Sequence, residues 1–571
     1  MTSRLILKLN HFRVFFPQKK IIFDPNTLTF RICHETRIGS LADESTNLAS
    51  LGSHYTVIMN LSLEDFSLPG KSVFLCWLVL LLFCAREVWQ HSFSKLPPGP
   101  WGLPVIGASF RIGNNPHLDF TGMAKEYGDV FSLMLGNRLV VVINGEQAIQ
   151  ETIIKHPTTF AGRPKLYTFE LANRLGNSLV LTDYSPRWRI CRKISVAGIK
   201  DFVKNTHILE EKLLLESQRL VRHLQQQKDD PVDALMSFKC ATANVIMHAL
   251  FGVQRSYDDE GLRKILELTE NFGKSVNGSS LVDFLPLLKY FPNKQVVNLV
   301  VTIDSLLDVV SQMFKKNKES YVDSRARNIA DSFLRVVKKE TEKASAEEDT
   351  VSVNPVFSDE DIISVLGDLL GAAFDTSSTT LYWGLAYLTK HPDIQRQLHN
   401  ELDRVIGRRR LPTLQDIPSL PLLQATVFEL LRVTSVVPLS IPRSTTAETN
   451  VRGFSIPKDT MIFINLWSVH RNPDIWKDPD IFEPRRFLNS HGQLLDPRSL
   501  GGFMPFSAGR RRCPGETLAT RALSVFLAVL LHSFHFTQDG LPAKYQGINF
   551  QGHSGLTLAA EKFYVKITER S

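Results

Sequence analysis

One ten-residue segment near the carboxyl end constrains the fold of this 571-residue chain more than any other feature. It reads Phe506-Ser507-Ala508-Gly509-Arg510-Arg511-Arg512-Cys513-Pro514-Gly515, and the apolar run from Glu516 to Phe534 predicts a helix directly after it. Cys513 is therefore expected just before a helix amino terminus. There the helix dipole and the three arginines would lower the pKa of the thiol and favour the thiolate.

The spacing of the cysteines decides which kind of site Cys513 can form. The other five, Cys33, Cys76, Cys84, Cys191 and Cys240, are scattered along the chain, without the close pairs of a zinc site or the density of a disulfide scaffold. A single thiolate suits a metal whose remaining ligands come from a cofactor. Haem meets this description, and its propionates would pair with arginines. A buried structural cysteine is the alternative interpretation.

A long helix is predicted in the middle of the chain. Ser358 and Asp361 form a capping box, and the helical pattern runs from Ile362 to Lys390, about 45 Å at 1.5 Å per residue. Its centre, residues 371–378, combines small residues with an acid and three hydroxyls. Such side chains leave room beside a helix and compete for its carbonyls, so the helix can open locally. Tight helix packing is the alternative.

The remaining patterns predict a mainly α fold with small β-sheets, an α+β architecture. Strands are expected at Arg138–Asn144 and Phe563–Thr568, and an exposed loop at Lys338–Asn354, which is rich in Lys, Glu, Ser and Thr. A further helix ends near Val437, ahead of Pro438. It carries Glu429 and Arg432, which share one helix face and can pair, although a surface ion pair of little value is an alternative.

With these residues in place, the chain resembles the cytochrome P-450 superfamily from about Pro97 to its end. The cysteine signature F-x-x-G-x-R-x-C-x-G is complete, at Phe506, Gly509, Arg511, Cys513 and Gly515. The resemblance implies a single large haem domain in which Cys513 is the axial ligand of the iron of heme b.

The resemblance also assigns roles to residues outside the signature. Trp188 and Arg192 fit a W-x-x-x-R helix whose side chains reach a haem propionate, and Arg443 is a further propionate partner. The E-x-x-R pair falls on Glu429 and Arg432, with Arg486 as its third member, and these three are expected to serve folding and haem retention. Asp375 and Thr376 would be the catalytic residues that relay protons.

Two positions depart from the family pattern. Ala373 stands where the central helix usually has glycine, and its methyl group would narrow the oxygen pocket. Arg485 stands where the usual P-E-R-F motif has glutamate, which puts the ion-pair network around Arg486 in doubt. Neither departure removes a ligand.

The function implied by the resemblance is monooxygenation: one oxygen atom of O2 enters a lipophilic substrate. No flavin or nicotinamide fingerprint is visible, so electrons would come from NADPH through a separate flavoprotein reductase docking near Arg510 and Arg512, with cytochrome b5 as a further partner. Two other classes stay open, an oxygen-independent isomerase or peroxide-rearranging enzyme and a non-catalytic haem-binding or lipid-binding relative. No basic run is interleaved with aromatic residues, so nucleic acid is not expected.

The substrate is less constrained by the sequence. The segment from Leu281 to Lys294 resembles the steroid 17-alpha-hydroxylase group and its drug-oxidising relatives, so a sterol or steroid is the first expectation and a foreign lipophilic compound the second. Asn271, Phe272 and Phe374 are candidates for lining an apolar pocket entered from the membrane side.

The amino-terminal region predicts a membrane anchor. The apolar core at residues 73–85 lies between Lys71 and Arg86 and is short for a full span, but the flanking stems can snorkel. We therefore divide the chain into 1–58, an upstream extension or gene-model artefact (or an organelle presequence), 59–95, a short lead and signal anchor, 96–107, a proline-rich hinge, and 108–571, the haem domain. The lysines and arginines after the anchor predict that the main domain lies on the cytoplasmic side. The hinge and the anchor resemble those of the microsomal members of the superfamily, which implies the endoplasmic reticulum membrane; the mitochondrial inner membrane is the alternative.

Overall fold

The computed structural model of the protein describes residues 95–570, apart from 205, 228–229, 277–279, 323–325 and 347–357, and three strands between Phe15 and His34. The chain divides into two units, Met1–Val88 and Trp89–Ser571. In the first unit β1 (Phe15–Phe16), β2 (Lys19–Asp24) and β3 (Thr29–His34) form an antiparallel sheet in that order. The predicted anchor core at 73–85 lies outside the described residues.

Helices dominate the second unit, as predicted, and the small sheets complete the α+β architecture. The helices are α1 (Pro116–Tyr127), α2 (Glu146–Ile149), α3 (Tyr167–Ala172), α4 (Pro186–Lys204), α5 (Thr206–Gln225), α6 (Leu235–Phe251), α7 (Glu260–Ser275), α8 (Leu281–Phe284), α9 (Lys294–Glu319), α10 (Ile329–Ala346), α11 (Asp359–Lys390), α12 (Pro392–Val405), α13 (Pro421–Thr434), α14 (Leu466–His470) and α15 (Glu516–Ser533). The strands are β4 (Val130–Leu135), β5 (Arg138–Ile143), β6 (Arg443–Ser444), β7 (Thr449–Val451), β8 (Phe454–Ile456), β9 (Met461–Ile464), β10 (Phe534–Thr537), β11 (His553–Ser554), β12 (Leu558–Ala559) and β13 (Lys566–Glu569).

The largest sheet of the second unit has the strand order β4-β5-β9-β6. β5 pairs antiparallel with β4 and parallel with β9, and β6 pairs antiparallel with β9 through Arg443 opposite Ile462. The strands β10 and β13, β11 and β12, and β7 and β8 form three further two-stranded antiparallel sheets. The predicted strand at 138–144 is confirmed to within one residue, whereas the predicted strand at 563–568 begins only at Lys566.

The central helix α11 runs from Asp359 to Lys390 and is confirmed together with its capping box. Ser358 Oγ accepts the backbone N–H of Asp361, and the Asp361 carboxylate accepts that of Ser358. Two free amide groups of the first turn are thereby satisfied, which fixes where the helix begins. Apolar side chains of α11 form part of the main hydrophobic core, in which α11 packs against α6, α13 and α15.

The predicted loop at 338–354 is wrong for its first part, because α10 continues to Ala346. Lysine, glutamate and alanine are good helix formers, and Lys338 Nζ lies 3.9 Å from the Glu342 carboxylate one turn further on. The polar composition favoured a loop, but residues 338–346 form the last turns of α10. Residues 347–354 lie outside the described residues.

The proline-rich segment lies along the edge of β4. The hydroxyl and the backbone N–H of Ser132 donate to the carbonyls of Pro97 and Pro98, at 2.6 and 2.8 Å. Gly99 comes so close to this strand that an added Cβ would lie 1.6 Å from the Ser132 carbonyl oxygen. Upstream, the Lys95 carbonyl accepts the N–H of Ser455, so the segment predicted to be a hinge is fastened at several points.

Within the described part of the chain, α9 is long and apolar enough to cross a membrane by length and composition. It packs against α7 and α11 of the second unit. We therefore read it as a helix of this unit.

Candidate functional site

The loop that carries Cys513 is fixed by its backbone. Ala508 is extended, Gly509 has a φ of +72°, and a short 3-10 turn over Gly509–Arg511 leads to the cysteine, whose N–H donates to the Phe506 carbonyl at 3.0 Å. A Cβ on Gly509 would lie 2.1 Å from the carbonyl oxygen of Ile153. Both the left-handed backbone and this close approach require glycine.

Gly515 follows the cysteine and immediately precedes α15. Its backbone N–H lies within hydrogen-bonding reach of the sulfur and opposes the rise in the pKa of the thiol. A Cβ added at Gly515 would meet Cys513 Sγ at 3.9 Å, which is an ordinary van der Waals distance. The N–H is thus the contribution of this residue that the structure shows.

The pKa of the Cys513 thiol is raised, whereas the sequence predicted that it would be lowered. The side chain is accessible, yet the protein packed around the sulfur penalises the thiolate, and this burial raises the pKa of the thiol. The Gly515 N–H and the charges of Arg192 and Arg512 lower it only in part, while Glu516 adds to the rise. The helix amino terminus and the arginines do not suffice by themselves; a bound metal would hold the sulfur deprotonated.

The three arginines before Cys513 point to different places. Arg510 is exposed, and Arg512 binds Glu516 on α15 with N–O distances of 2.7 and 2.8 Å. Arg511 turns inward and donates to the carbonyls of Ala161, Leu179 and Thr182. Only Arg511 therefore belongs to the interior of the site.

A cluster of four arginines lies beside the cysteine loop: Arg163, Arg192, Arg443 and Arg511. Burial, followed by the charges of the neighbouring arginines, lowers the pKa of Arg511 to about 9. The same two causes lower the pKa of Arg163 well below its usual value. Burial and then Arg192 lower the pKa of Arg443 to about 10. Asp183 is the acidic residue in the described part of the chain whose charge acts on Arg163 and Arg511. Positive charge is therefore in excess within the cluster.

Arg443 is the member of this cluster best placed to bind an anion. Its side chain is completely buried, and its Nη2 donates to Ser507 Oγ and the Ala508 carbonyl at 2.9 and 3.1 Å. Its Nε and Nη1 have no hydrogen-bond partner among the described residues. Two unsatisfied buried donors on a cation are costly, and carboxylates supplied by a ligand would satisfy them.

Arg163 belongs to the cluster although the sequence analysis did not select it. It donates to the carbonyls of Val180, Ile441 and Pro442, and so holds the chain that leads to Arg443. Its neighbours Gly162 and Pro164 form no recognisable motif with it. Only the fold brings it to the other arginines.

Trp188 supports the cluster with the face of its ring. Its indole N–H donates to the Leu179 carbonyl at 2.9 Å, so that donor is already satisfied by the protein. The guanidinium carbons of Arg511 and Arg192 lie 3.9 and 5.7 Å from the ring centroid, within cation–π range. Arg192 also donates to the Arg512 carbonyl, which ties α4 to the cysteine loop.

Glu429 and Arg432 form a buried two-point ion pair on α13. Arg432 Nε and Nη2 lie 2.7 Å from the two carboxylate oxygens, and neither side chain is exposed. Arg486 Nε adds a third contact at 3.2 Å, and the backbone N–H of Glu483 a fourth at 2.8 Å. The alternative of a surface ion pair is therefore wrong.

The departure at Arg485 leaves this network intact. Arg485 is exposed, and its guanidinium donates to Gln397 Oε1 on α12 at 2.8 Å. Arg486 meanwhile keeps its contact with Glu429 and donates to backbone carbonyls, among them those of Asp478 and Ile481. The doubt raised by the sequence is resolved by geometry, because the two arginines point in different directions.

The middle of α11 carries hydroxyls that bond back to its own carbonyls. Thr376 Oγ1 donates to Ala372 at 3.0 Å and lies 3.4 Å from the Ala373 carbonyl, which also accepts Ser377 Oγ at 2.8 Å. Asp375 accepts the Thr557 hydroxyl at 3.2 Å. Burial raises the pKa of the Asp375 carboxyl, while the charge of Lys239 opposes the rise.

The three candidates for pocket lining lie apart from one another. Phe374 is fully buried in the main core, and its carbonyl accepts Thr242 Oγ1. Phe272 packs with the second core cluster. Asn271 borders a cavity of about 580 Å³ between α6 and α7. These three candidates thus have different surroundings in the structure.

The donor set fits haem: one accessible thiol follows a rigid loop, and an excess of buried arginines beside it matches two propionates. The family model for cytochrome P450 matches residues 97–567, and the chain belongs to this family of haem-thiolate proteins. It is 34% identical to cytochrome P450 1A1 of Limanda limanda over 90% of this chain and 98% of that protein. It is equally 34% identical to cytochrome P450 1A1 and 1A3 of Oncorhynchus mykiss, over 87% of this chain and 95% of each. The chain is thus a cytochrome P450 monooxygenase with haem b as its cofactor.

Proposed function

We propose that this chain inserts one oxygen atom of O2 into a lipophilic small molecule, and that Cys513 would bind the haem iron through its sulfur. The observation that carries the proposal is the cysteine loop, in which Gly509 and the Phe506 carbonyl hold the sulfur at the start of α15. Bound haem supplies the redox centre at which oxygen is activated, and an anionic sulfur ligand favours O–O cleavage.

Arg192, Arg443 and Arg511 are proposed to hold the propionates. Arg443 offers its two unsatisfied donors, and Arg511 and Arg192, both within cation–π range of the Trp188 ring, contribute positive charge. Arg163 is a positioning residue, since it acts through the carbonyls next to Arg443. Glu429, Arg432 and Arg486 are assigned to folding and haem retention.

Asp375 and Thr376 are proposed to deliver protons to the reacting centre. Burial favours the protonated carboxyl of Asp375, and Thr557 and Lys239 oppose that effect, so this group can hold and release a proton. The Thr376 hydroxyl has two backbone carbonyls within reach, those of Ala372 at 3.0 Å and Ala373 at 3.4 Å.

Electrons are proposed to arrive from NADPH through a separate flavoprotein reductase, with cytochrome b5 as an alternative donor. Exposed Arg510 and the exposed face of α4, including Arg189 and Lys193, flank the cysteine loop and suit an acidic partner. Arg510→Glu should raise the KM for reductase several-fold. The control Lys458→Glu, an exposed lysine in a turn after β8, should leave it unchanged.

A lipid bilayer is the proposed source of the substrate, in the endoplasmic reticulum with the catalytic domain on the cytoplasmic side. Val105, Leu287, Tyr290 and Phe291 are each two-thirds exposed or more. The turn after β4 joins the two segments that carry them, since Gly136 and Asn137 donate to the carbonyls of Ile106 and Phe284. Such a patch fits contact with a membrane.

This patch predicts how substrate reaches the enzyme. Leu287→Glu should raise the KM for a substrate delivered in vesicles and leave that for a water-soluble substrate unchanged. Ile481→Glu, at a residue that is also exposed, is the matched control and should alter neither KM. Equal KM values in all three proteins for the vesicle-borne substrate would contradict the proposed entry route.

The substrate class we propose is a foreign lipophilic compound rather than a steroid. The relatives found carry 1A1 and 1A3 names, and none of those reported carries a steroid-hydroxylase name. A ligand screen by the shift of the haem absorption band, followed by turnover with NADPH and reductase, separates the two classes. Turnover of steroids alone would overturn this assignment.

The decisive test of the function is the carbon monoxide difference spectrum of the reduced protein. The absorption maximum characteristic of a thiolate-ligated haem is expected, and Cys513→Ser should abolish it. An unchanged spectrum in that variant, or turnover that needs no NADPH and reductase, would refute the proposal.

A further inference from the structure

A second cavity, of about 740 Å³, lies away from the cysteine loop between α5, the end of α6, the start of α7 and the second half of α9. Its apolar lining includes Ile208, Phe251, Val309 and Met313. This volume falls within the range of roughly 300–1,000 Å³ that is typical of sites for drug-sized ligands. Nothing in the proposed oxygenation uses this cavity.

The charged residues that line this cavity are mostly cations: Lys212, Arg255, Lys264, Lys316 and Arg327, against Glu211 as the lining acid. Three of the five are paired. Lys212 binds Glu211 at 2.7 Å, Arg255 binds Asp259 at 2.8 Å, and Arg327 binds Asp331 at 2.7 Å.

Lys264 on α7 and Lys316 on α9 remain after this pairing. Both side chains are exposed, and neither amine has an acidic partner within the described part of the chain. The neighbouring His248 adds no negative charge, and burial lowers its pKa to about 4, so it is neutral at physiological pH. The cavity therefore joins apolar walls to two uncompensated positive charges.

We propose that this cavity binds an amphipathic organic anion, whose lipophilic body contacts the apolar walls and whose carboxylate or sulfate contacts Lys264 and Lys316. An inorganic anion would leave the apolar walls without a partner, and a neutral lipophile would leave the two amines unpaired. An anion bound by both lysines would link α7 to α9. Thr269 of α7 also lies next to Gly371 of the central helix α11, so α7 contacts both the proposed site and that helix. The site does not depend on the reaction proposed above.

The test is equilibrium dialysis of radiolabelled laurate against the full haem-loaded chain, with the substrate pocket filled by an azole inhibitor bound to the iron. Each of the variants Lys264→Glu and Lys316→Glu should weaken laurate binding about tenfold, because attraction becomes repulsion at the headgroup. Lys315→Glu is the matched control, since Lys315 is exposed on the same helix and does not line the cavity. It should change the Kd less than twofold.

The uncharged analogue 1-dodecanol separates the contribution of the carboxylate charge from that of hydrophobic contact. Its binding should be weaker than that of laurate and equal in all variants. Equal laurate Kd values in the three lysine variants, tight binding of dodecanol, or no binding of laurate would each overturn the proposal. Unchanged carbon monoxide spectra and melting temperatures verify that the variants are folded.

Discussion

Replacing Glu429 by glutamine tests how much of the fold depends on the buried ion pair of α13. The carboxylate accepts both Nε and Nη2 of Arg432 at 2.7 Å, together with Arg486 and the Glu483 N–H. Glutamine keeps the size of the side chain but removes the negative charge. Arg432 would then be a cation with no exposed surface and no counter-charge beside it.

The cost follows from this burial. Removing one partner of a buried ion pair costs about 3–5 kcal/mol, which is a large part of the roughly 5–15 kcal/mol by which a typical domain is stable. An unfolding entropy of about 2.1 cal/mol/K per residue over roughly 470 residues converts this loss into a fall in Tm of about 3–5 °C. Backbone carbonyls of His470 and Pro479 still bind Arg432, so the lower half of the range is expected.

The assay is a double-mutant cycle of Glu429→Gln, Arg432→Met and the double variant, read as urea midpoint, Tm and haem content of the loaded protein. The double variant should be more stable than the sum of the single effects by at least 1 kcal/mol, because it removes the orphaned cation. The control is Glu342→Gln, which breaks an exposed helical pair with Lys338, four residues apart, and should cost about 0.5 kcal/mol or less. A folded, haem-replete Glu429→Gln protein within 1 kcal/mol of the parent, or additive effects in the cycle, would refute the reasoning.

Three further outcomes are expected. Thr376→Ala should keep the haem and lower product formed per NADPH several-fold, whereas Thr380→Ala, which removes another hydroxyl bonded back to α11, should not; equal coupling in both would remove Thr376 from proton delivery. Burial raises the pKa of Asp368 to about 6 from 3.8, so the stability that its proton contributes is full below about pH 4 and is lost as the pH rises through about 6. The free energy of unfolding of Asp368→Asn, relative to that of the parent, should therefore increase by about 1–3 kcal/mol as the pH rises from 4 to 7.5. A difference in Tm that is independent of pH would contradict this sign. Arg485→Glu should shift Tm by less than about 1 °C, because an exposed side chain outside the network is replaced; a shift as large as that of Glu429→Gln would contradict the geometry.

Sequence patterns predicted those parts of the fold that depend on interactions between residues close together in the chain. The capping box at Ser358 places the start of α11 because the two residues satisfy each other's amides. The position of Cys513 just before a helix could be predicted because the apolar run from Glu516 follows it directly. In the stretch 338–346, polar composition was misleading, since a solvated helix and a loop share it and packing decides between them.

Long-range effects could not be predicted in this way. Arg163 joins the arginine cluster only because β6 brings the chain near Arg443 back to it, and no residue beside Arg163 signals this. The pKa of Cys513 depends on how closely the folded protein surrounds the sulfur, and that desolvation outweighs the nearby positive charges. The directions of Arg485 and Arg486 likewise depend on the carbonyls that the fold presents to them.

The proline segment is attached to β4, the outer strand of the sheet that also contains Arg443. Hydrogen bonds at the carbonyls of Lys95, Pro97 and Pro98 hold the backbone around the prolines in one place. Residues inserted between Pro97 and Gly99 would move the carbonyls of Pro97 and Pro98 away from Ser132, and β4 would lose the hydrogen bonds that Ser132 makes with this segment.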